Sequence, residues 1–484
     1  MSGLSKEIGI TVKKFEDFSE WYNQVVLKAE LADYASAKGF MVLRPYGYQI
    51  WEIIQSVLDR EFKKLGHKNA YFPTLIPESI LKQEAEHFKG FVPEVFWVTE
   101  AGDNKLNERL AARPTSETIA YSSYSKWIRS WRDLPLLLNF WNSVLRAEIK
   151  STKPFIRTSE FLWQEGHTAH ATKEEADKET LTILNLYKWF IEEYLAIPVI
   201  AGCKTEREKF VGALYTTTLE AIMPDGKALQ MGTSHNLGQN FSKVFEIKYL
   251  GQDKQEHYVW QTSWGVSWRL IGAVIMVHGD DKGLILPPRI TPIQVIVIPI
   301  FYKDKPNEKL ASKAKNLTAL FAENGVRAYC DDREEYTPGW KFNDWELRGV
   351  PLRLEIGPRD LKNHTVTFAL RDTGEKMVVD EGAAVEKAKA LLDALQARLK
   401  NRAEAIFREL CSRAESYDEF KQILDSRGGF IKAGWCGDQN CEVIIKEETG
   451  ADIRVVPFEG DTSIKRCIYC GREAKITAYF ARAY

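Results

Sequence analysis

Apolar positions from Phe15 to Ala37 recur at helical spacing, and a second such run extends from about Tyr48 to Leu65. Between them "GFMVLRPYG" breaks the period, and "NAYFPTLIP" then reads as a strand. Up to about Leu284 the chain is mixed, with short runs in which apolar and polar residues alternate. That period of two predicts an antiparallel sheet. "LPPRITP" at 286–292 interrupts the pattern with three prolines and reads as a linker. Beyond it, "IQVIVIPIFY" is a continuous apolar strand, and "NEKLASKAKNLTALFAENG" is an amphipathic helix closed by Gly325. "VRAYCDD", "VPLRLEIGP" and "HTVTFALRD" follow as strands, then the long helix "EKAKALLDALQARLKNRAEAIFREL". Strands and helices in alternation predict a small α/β unit. The division is therefore 1–285, 286–400 and 401–484.

Composition adds limits rather than a function. The chain has 484 residues, 44% hydrophobic and 27% charged, which fits two to four globular units. A formal net charge of −1 advertises neither nucleic acid nor membrane, although local basic patches decide such contacts. The N-terminus has no secretory pattern, and "IGAVIMV" and "IQVIVIPIFY" are too short to span a bilayer. Seven cysteines without a signal predict a reducing, cytoplasmic setting. Cys436, Cys441, Cys467 and Cys470 have four-thiolate zinc spacing, and Gly471 permits the turn after "CIYC". A redox pair would need a strand before and a helix after it, which the flanks of Cys467 lack. Cys203, Cys330 and Cys411 are expected as small buried residues.

The densest chemistry lies in "RTSEFLWQEGHTAH", residues 157–170. Period-two alternation places Arg157, Ser159, Phe161, Trp163, Glu165 and His167 on one face. "VLRAE" sets Arg146 and Glu148 on one face of the preceding strand, and "RPTSE" repeats the pattern with Arg113, Thr115 and Glu117. Glu165, His167 and His170 could supply a zinc set. Alternation sends His170 to the opposite face, however, and no further ligand is near, so the pattern favours a pocket wall. Two arginines bind phosphate bidentately, an aromatic plane stacks on a purine, and a carboxylate accepts from an exocyclic amine. Those parts describe a nucleoside triphosphate. No phosphate-loop or dinucleotide glycine fingerprint is present, so the nucleotide is not held by such a loop.

These residues have a family likeness. Arg146-Ala-Glu148 followed by Arg157–Phe161 resembles motif 2 of class II aminoacyl-tRNA synthetases. "GHKNAYFP" resembles motif 1, and "TSWGVSWRLIGAVIMVHGDDKGLILPPRI" resembles motif 3 with Arg269 in its arginine position. "RPTSET", "FLWQEGHTAH", "GTSHNLGQNFSKVFEI" and "HGDDKGLILPPR" resemble the prolyl enzymes of archaeal and eukaryotic type. The likeness covers nearly the whole chain. It implies an α+β protein: an antiparallel catalytic sheet flanked by helices, an α/β anticodon-binding domain and a small C-terminal zinc-binding α/β domain. It further implies a homodimer formed through motif 1, and proline, ATP with Mg²⁺ and tRNA(Pro) as ligands.

By the same likeness Arg146, Arg157 and Arg269 hold the phosphates, Phe161 stacks on adenine, and Glu148 accepts from its amine. Gln230 and Thr233 complete the nucleotide subsite, while Thr115, Glu117, Trp163, Glu165, His167 and His235, with Arg146, surround proline. Asp332, Arg333, Lys341, Glu346 and Arg348 are expected to read the anticodon, as splayed RNA bases need acids, cations and aromatics. Glu220 reads as a structural acid ahead of a metal ligand. The aromatic tail "AYFARAY" is expected to dock in a groove. No editing domain fits between His170 and Gln230. Because one methylene is worth only about 1–3 kcal/mol, alanine and cysteine are expected to be excluded incompletely. A non-catalytic RNA-binding relative is the rival reading, and the intact Arg146, Arg157 and Arg269 argue against it.

Overall fold

The computed structural model describes residues 9–87, 94–147, 151–301, 308–461 and 463–484. Its first helix, Phe18–Lys28, begins where the Asp17 side chain accepts from the amides of Ser19 and Glu20. It is shorter than the expected Phe15–Ala37. Glu30 turns the chain at a φ of +57°, and Ala32–Tyr34 pairs with Met41–Leu43 instead. The second helix, Pro45–Lys64, has its proline in the first turn and buries Ile50, Ile54, Leu58 and Phe62 along one face. The expected strand "NAYFPTLIP" is two strands, Lys68–Asn69 and Leu75–Pro77, which pair with different partners on either side of Pro73.

The catalytic region is organised by an eleven-stranded sheet, whose centre runs Ile200–Cys203, Tyr215–Ile222, Ala228–Gly238, Trp260–Ser267, Glu160–His170 and Leu136–Leu145. Each neighbouring pair in that centre is antiparallel. Helices Lys173–Glu193 and Arg269–His278 close one face over a core that includes Trp264, Tyr187 and Met231. Gly166 is required there: a Cβ at this position would meet the Trp264 ring at 2.1 Å. The other face is left for side chains of the opposite parity.

The second unit carries a five-stranded sheet ordered Ala328–Cys330, Val295–Pro299, Leu352–Ile356, Thr365–Leu370, Lys376–Asp380. Its first three strands are parallel and its last two antiparallel. The proline-rich linker is packed rather than loose, with Leu286, Ile290 and Thr291 buried. Helix Ala384–Glu409 continues through the expected boundary at residue 400 without a break. The C-terminal unit supplies four strands of the eleven-stranded sheet, joined where Val456 and Pro457 pair with Cys203 and Gly202. Its tail docks as expected. Ala483 bridges Ala228, and the Tyr484 hydroxyl donates to Asp225 at 2.6 Å.

Candidate active site and zinc centre

Register brings the predicted residues together. Glu165 lies opposite Phe140 and Gly265, and His167 lies opposite Leu138 and Ser263, which in turn faces His235. Partners across an antiparallel ladder share a face, so these strands present one continuous row. A cavity of about 260 Å³ opens over it. Thr115, Glu117, Arg146, Phe161, Trp163, Glu165, His167, Gln230, Thr233, His235 and Arg269 all line that cavity. The Arg146 guanidinium lies 5.2 Å from the centre of the Phe161 ring and 5.7 Å from that of Trp163. Trp163 is fixed in turn by an indole hydrogen bond of 2.7 Å to Asn142.

One end of the cavity is acidic. Glu165 accepts from the Ser116 amide at 3.1 Å and hydroxyl, from Asn142 at 2.9 Å, and from His167 Nε2 at 3.0 Å. Glu117 accepts from the Thr115 hydroxyl. Burial opposes the charge on Glu165, yet the hydrogen bond and charge of His167, with Ser116 and Asn142, hold its carboxyl below the usual range. Burial likewise opposes the His167 imidazolium, but Glu117 and Glu165 raise its pKa. His235 has no such acid, and burial pushes it down to about 3, so it is a neutral ring bonded to Thr216 at 2.9 Å. Two acids beside one imidazole make this end of the cavity suited to a cationic group.

The other end is cationic. Burial, with Arg146 adding, lowers Arg269 to about 10, which still leaves it charged at neutral pH. Lys204 also lines the cavity, and its ammonium donates to Glu220 at 2.7 Å. Glu220 is fully buried and engaged by Lys204, Arg454 and Thr218, so it is the structural acid the sequence favoured.

Several positions differ from expectation. The strand begins at Glu160, so Arg157 precedes it; Arg157 bridges Lys153, is exposed, and does not line the cavity. Arg146 likewise follows the end of its strand at Leu145. Glu148 lies outside the described residues. His170 faces away from the cavity and bonds Thr168, as parity required. Lys204, Glu208, Phe210, Thr216, Ser263, Gly265 and Ser267 also line the cavity and were missed. Ser263, Gly265 and Ser267 were within reach, since "SWGVS" alternates with period two.

Glu117, Glu165 and His167 bring ligand atoms within 4.8 Å of one another, but the bonds just described already engage them. The four C-terminal cysteines are a better metal set. Their sulfurs lie within 4.8 Å of one another, with Cys436 3.7 Å from both Cys441 and Cys470. A tetrahedron with Zn–S bonds of about 2.3 Å has edges of about 3.8 Å, so the cluster fits zinc. A hydrogen bond from Arg472 draws the Cys470 thiol down to about 6, whereas burial raises the Cys441 and Cys467 thiols. Cys203, Cys330 and Cys411 are half-buried free thiols rather than fully buried ones.

The expected anticodon readers are largely engaged. Lys341 is 2% exposed and donates to the Asp331 carbonyl at 3.0 Å, so it is corrected to a core cation. Arg348 bonds Asp344 at 3.1 Å and, across the unit boundary, Glu30 at 2.7 Å. Glu346 pairs with Lys282, again across the boundary, and Asp332 pairs with Lys315. Arg333 grips Asp331 and also lies over Tyr336 and Trp340, whose rings stack with centres 3.9 Å apart.

An antiparallel sheet with guanidiniums at one end of its cavity and acids at the other defines a class II aminoacyl-tRNA synthetase core. Residues 96–278 match the tRNA synthetase class II core domain (G, H, P, S and T), and residues 294–391 match the anticodon binding domain. Residues 417–484 match the C-terminal domain of prolyl-tRNA synthetase. A proline–tRNA ligase of Cenarchaeum symbiosum is 58% identical over 99% of this chain and all of its own. Another, from Natranaerobius thermophilus, is 53% identical over 97% of each, and one from Clostridium novyi is 52% identical over the whole of both. The chain belongs to the prolyl-tRNA synthetase family.

Proposed function

We propose that this protein is a proline–tRNA ligase, which joins proline to ATP as prolyl-adenylate and then transfers the prolyl group to tRNA(Pro). The observation that carries the reading is the polarity of one cavity, with Glu117, Glu165 and His167 at one end and Arg269 and Lys204 at the other. Proline's secondary ammonium suits the carboxylates and the Thr115 hydroxyl, and its ring suits the Trp163 wall. Its carboxylate is ionised at neutral pH and needs no general base to attack the α-phosphorus. Arg146 and Arg269 bring two anions together and neutralise them, which is positioning and electrostatic stabilisation. Phe161 stacks on adenine, and Gln230 and Thr233 border the nucleotide. Mg²⁺, when bound with ATP, supplies further charge neutralisation on the phosphates.

Cys436, Cys441, Cys467 and Cys470 hold a structural zinc, with all four positions filled by sulfur. The exposed side chains of Leu65, Tyr71 and Leu75 around motif 1 support a homodimer contact there. The stacked Tyr336–Trp340 pair beside Arg333 suits an unpaired anticodon base. No helix among the described residues is long and apolar enough to cross a membrane, and we place the enzyme in the cytoplasm. Pyrophosphate exchange measured side by side with proline, alanine, threonine and cysteine tests the assignment. Proline is expected to dominate, with weak exchange for alanine and cysteine. Dominance of threonine, or no exchange at all, overturns it.

A further inference from the structure

The C-terminal unit reaches the residues behind the catalytic cavity. Its strand Asp452–Pro457 pairs with Ile200–Cys203 so closely that a Cβ on Gly202 would lie 2.1 Å from the Val456 carbonyl oxygen. From that strand Arg454 extends into the catalytic unit and gives Nε and Nη2 to Glu220 Oε2 at 3.1 and 3.0 Å. Lys204 donates to Glu220 Oε1 at 2.7 Å and to the backbone carbonyl of Arg454 at 2.8 Å. The Lys204 ammonium is thus held between one carboxylate of the catalytic unit and one carbonyl of the C-terminal unit.

The Glu220 side chain has no exposure, and those of Lys204 and Arg454 have 4% and 10%. In so dry a setting the position of each charge is fixed by its partners, and a change at one is felt by the others. Lys204 and Arg269 both line the cavity, and Glu220 is the acid that acts on Arg269. Glu220 thus acts on Lys204, Arg454 and Arg269 together, with Asp452 4.0 Å from Arg454 and Glu208 also acting on Lys204.

We propose that Arg454 is a positioning residue for adenylate formation: through Glu220 it fixes the Lys204 ammonium and the field at Arg269, making the C-terminal unit part of the phosphate-holding machinery. This rests on the ligase reading above. The residue touches no substrate itself. It stands behind the nucleotide end, whereas the proline end is built by Glu117, Glu165 and His167, which it does not reach. Its loss is therefore read in one substrate and not in the other.

The test is pyrophosphate exchange by the full-length, zinc-loaded chain, with KM for ATP and proline measured separately. Arg454→Met is expected to raise the ATP KM about tenfold or more and leave the proline KM within about twofold, and Lys204→Met is expected to follow it. Arg454→Lys is expected to recover part of the loss. Tyr484→Phe, which breaks the bond to Asp225 at the same interface, is expected to change neither KM. If Arg454→Met does not fold, Arg454→Lys and Lys204→Met, each of which leaves Glu220 a cationic partner, are measured in its place. An ATP KM unchanged in the folded variant, or ATP and proline KM rising together, overturns the proposal. Absence of proline-dependent exchange in the parent chain instead overturns the ligase reading.

Discussion

The acidic end of the catalytic cavity and the charged run from Asp331 to Arg348 are written in the same residue types, yet they fold into opposite uses of charge. In the cavity, Glu165 bonds to His167 and to the Ser116 hydroxyl, and Glu117 to the Thr115 hydroxyl, with all three polar ends turned towards one shared space. In the anticodon unit, Lys341 is spent inside its own domain, while Arg348 and Glu346 are spent on the catalytic unit. A charge on a regular strand inherits a direction from its neighbours two residues away. Lys341 and Glu346 lie instead on helix Pro338–Leu347, with Arg348 at its C-terminal cap, and take whichever partner the tertiary fold supplies.

The largest expected effect falls on the cavity. Arg146→Ala is expected to lower proline-dependent pyrophosphate exchange by about 10²–10³-fold while the protein keeps its unfolding transition. Near-normal exchange would remove the cavity from the comparison. Next comes the anticodon unit, where the stacked pair and the buried cation separate. Tyr336→Ala is expected to raise the KM for tRNA about tenfold with adenylate formation unchanged, as one stacked base is worth roughly 1–3 kcal/mol. Lys341→Met is expected to cost about 2 kcal/mol of stability, read by urea denaturation, because it takes a cation from the fully buried Asp331. A tRNA-specific defect in Lys341→Met with full stability would erase the distinction.

The smallest effect is a pH dependence. Glu117 and Glu165 raise the folded pKa of His167, so its contribution is complete below the ordinary histidine value and fades as pH rises through the raised one. His167→Gln is therefore expected to destabilise more at pH 6 than at pH 9. An equal loss at both would show that the imidazole acts only through packing against Phe140 and Tyr121.

Legibility followed the same division. Strand parity recovered Phe161, Trp163, Glu165 and His167 because the ladder Glu160–His170 is long and regular. Arg157 escaped because parity was carried back past the strand's start into a turn. Lys204 was missed because nothing around it in sequence signals a cavity; it is placed by Glu220 and by Arg454, 250 residues away. Arg348 meets Glu30 across 318 residues, and no local pattern encodes such a meeting. The cysteine spacing, by contrast, is a local constraint, and the four sulfurs do converge.

Helix Ala384–Glu409, 26 residues and so about 39 Å long, serves in turn as a wall of four apolar clusters. Leu391 and Leu392 belong to the anticodon core, Leu395 and Leu399 to a seam with Ala196 and Ile285, Ala403 to the main core, and Ile406 and Phe407 to the C-terminal junction. A strut shared so widely has no neutral place to be severed. Fragments divided anywhere along it would each carry a raw apolar edge, so excising or transplanting one module demands that the rod travel whole.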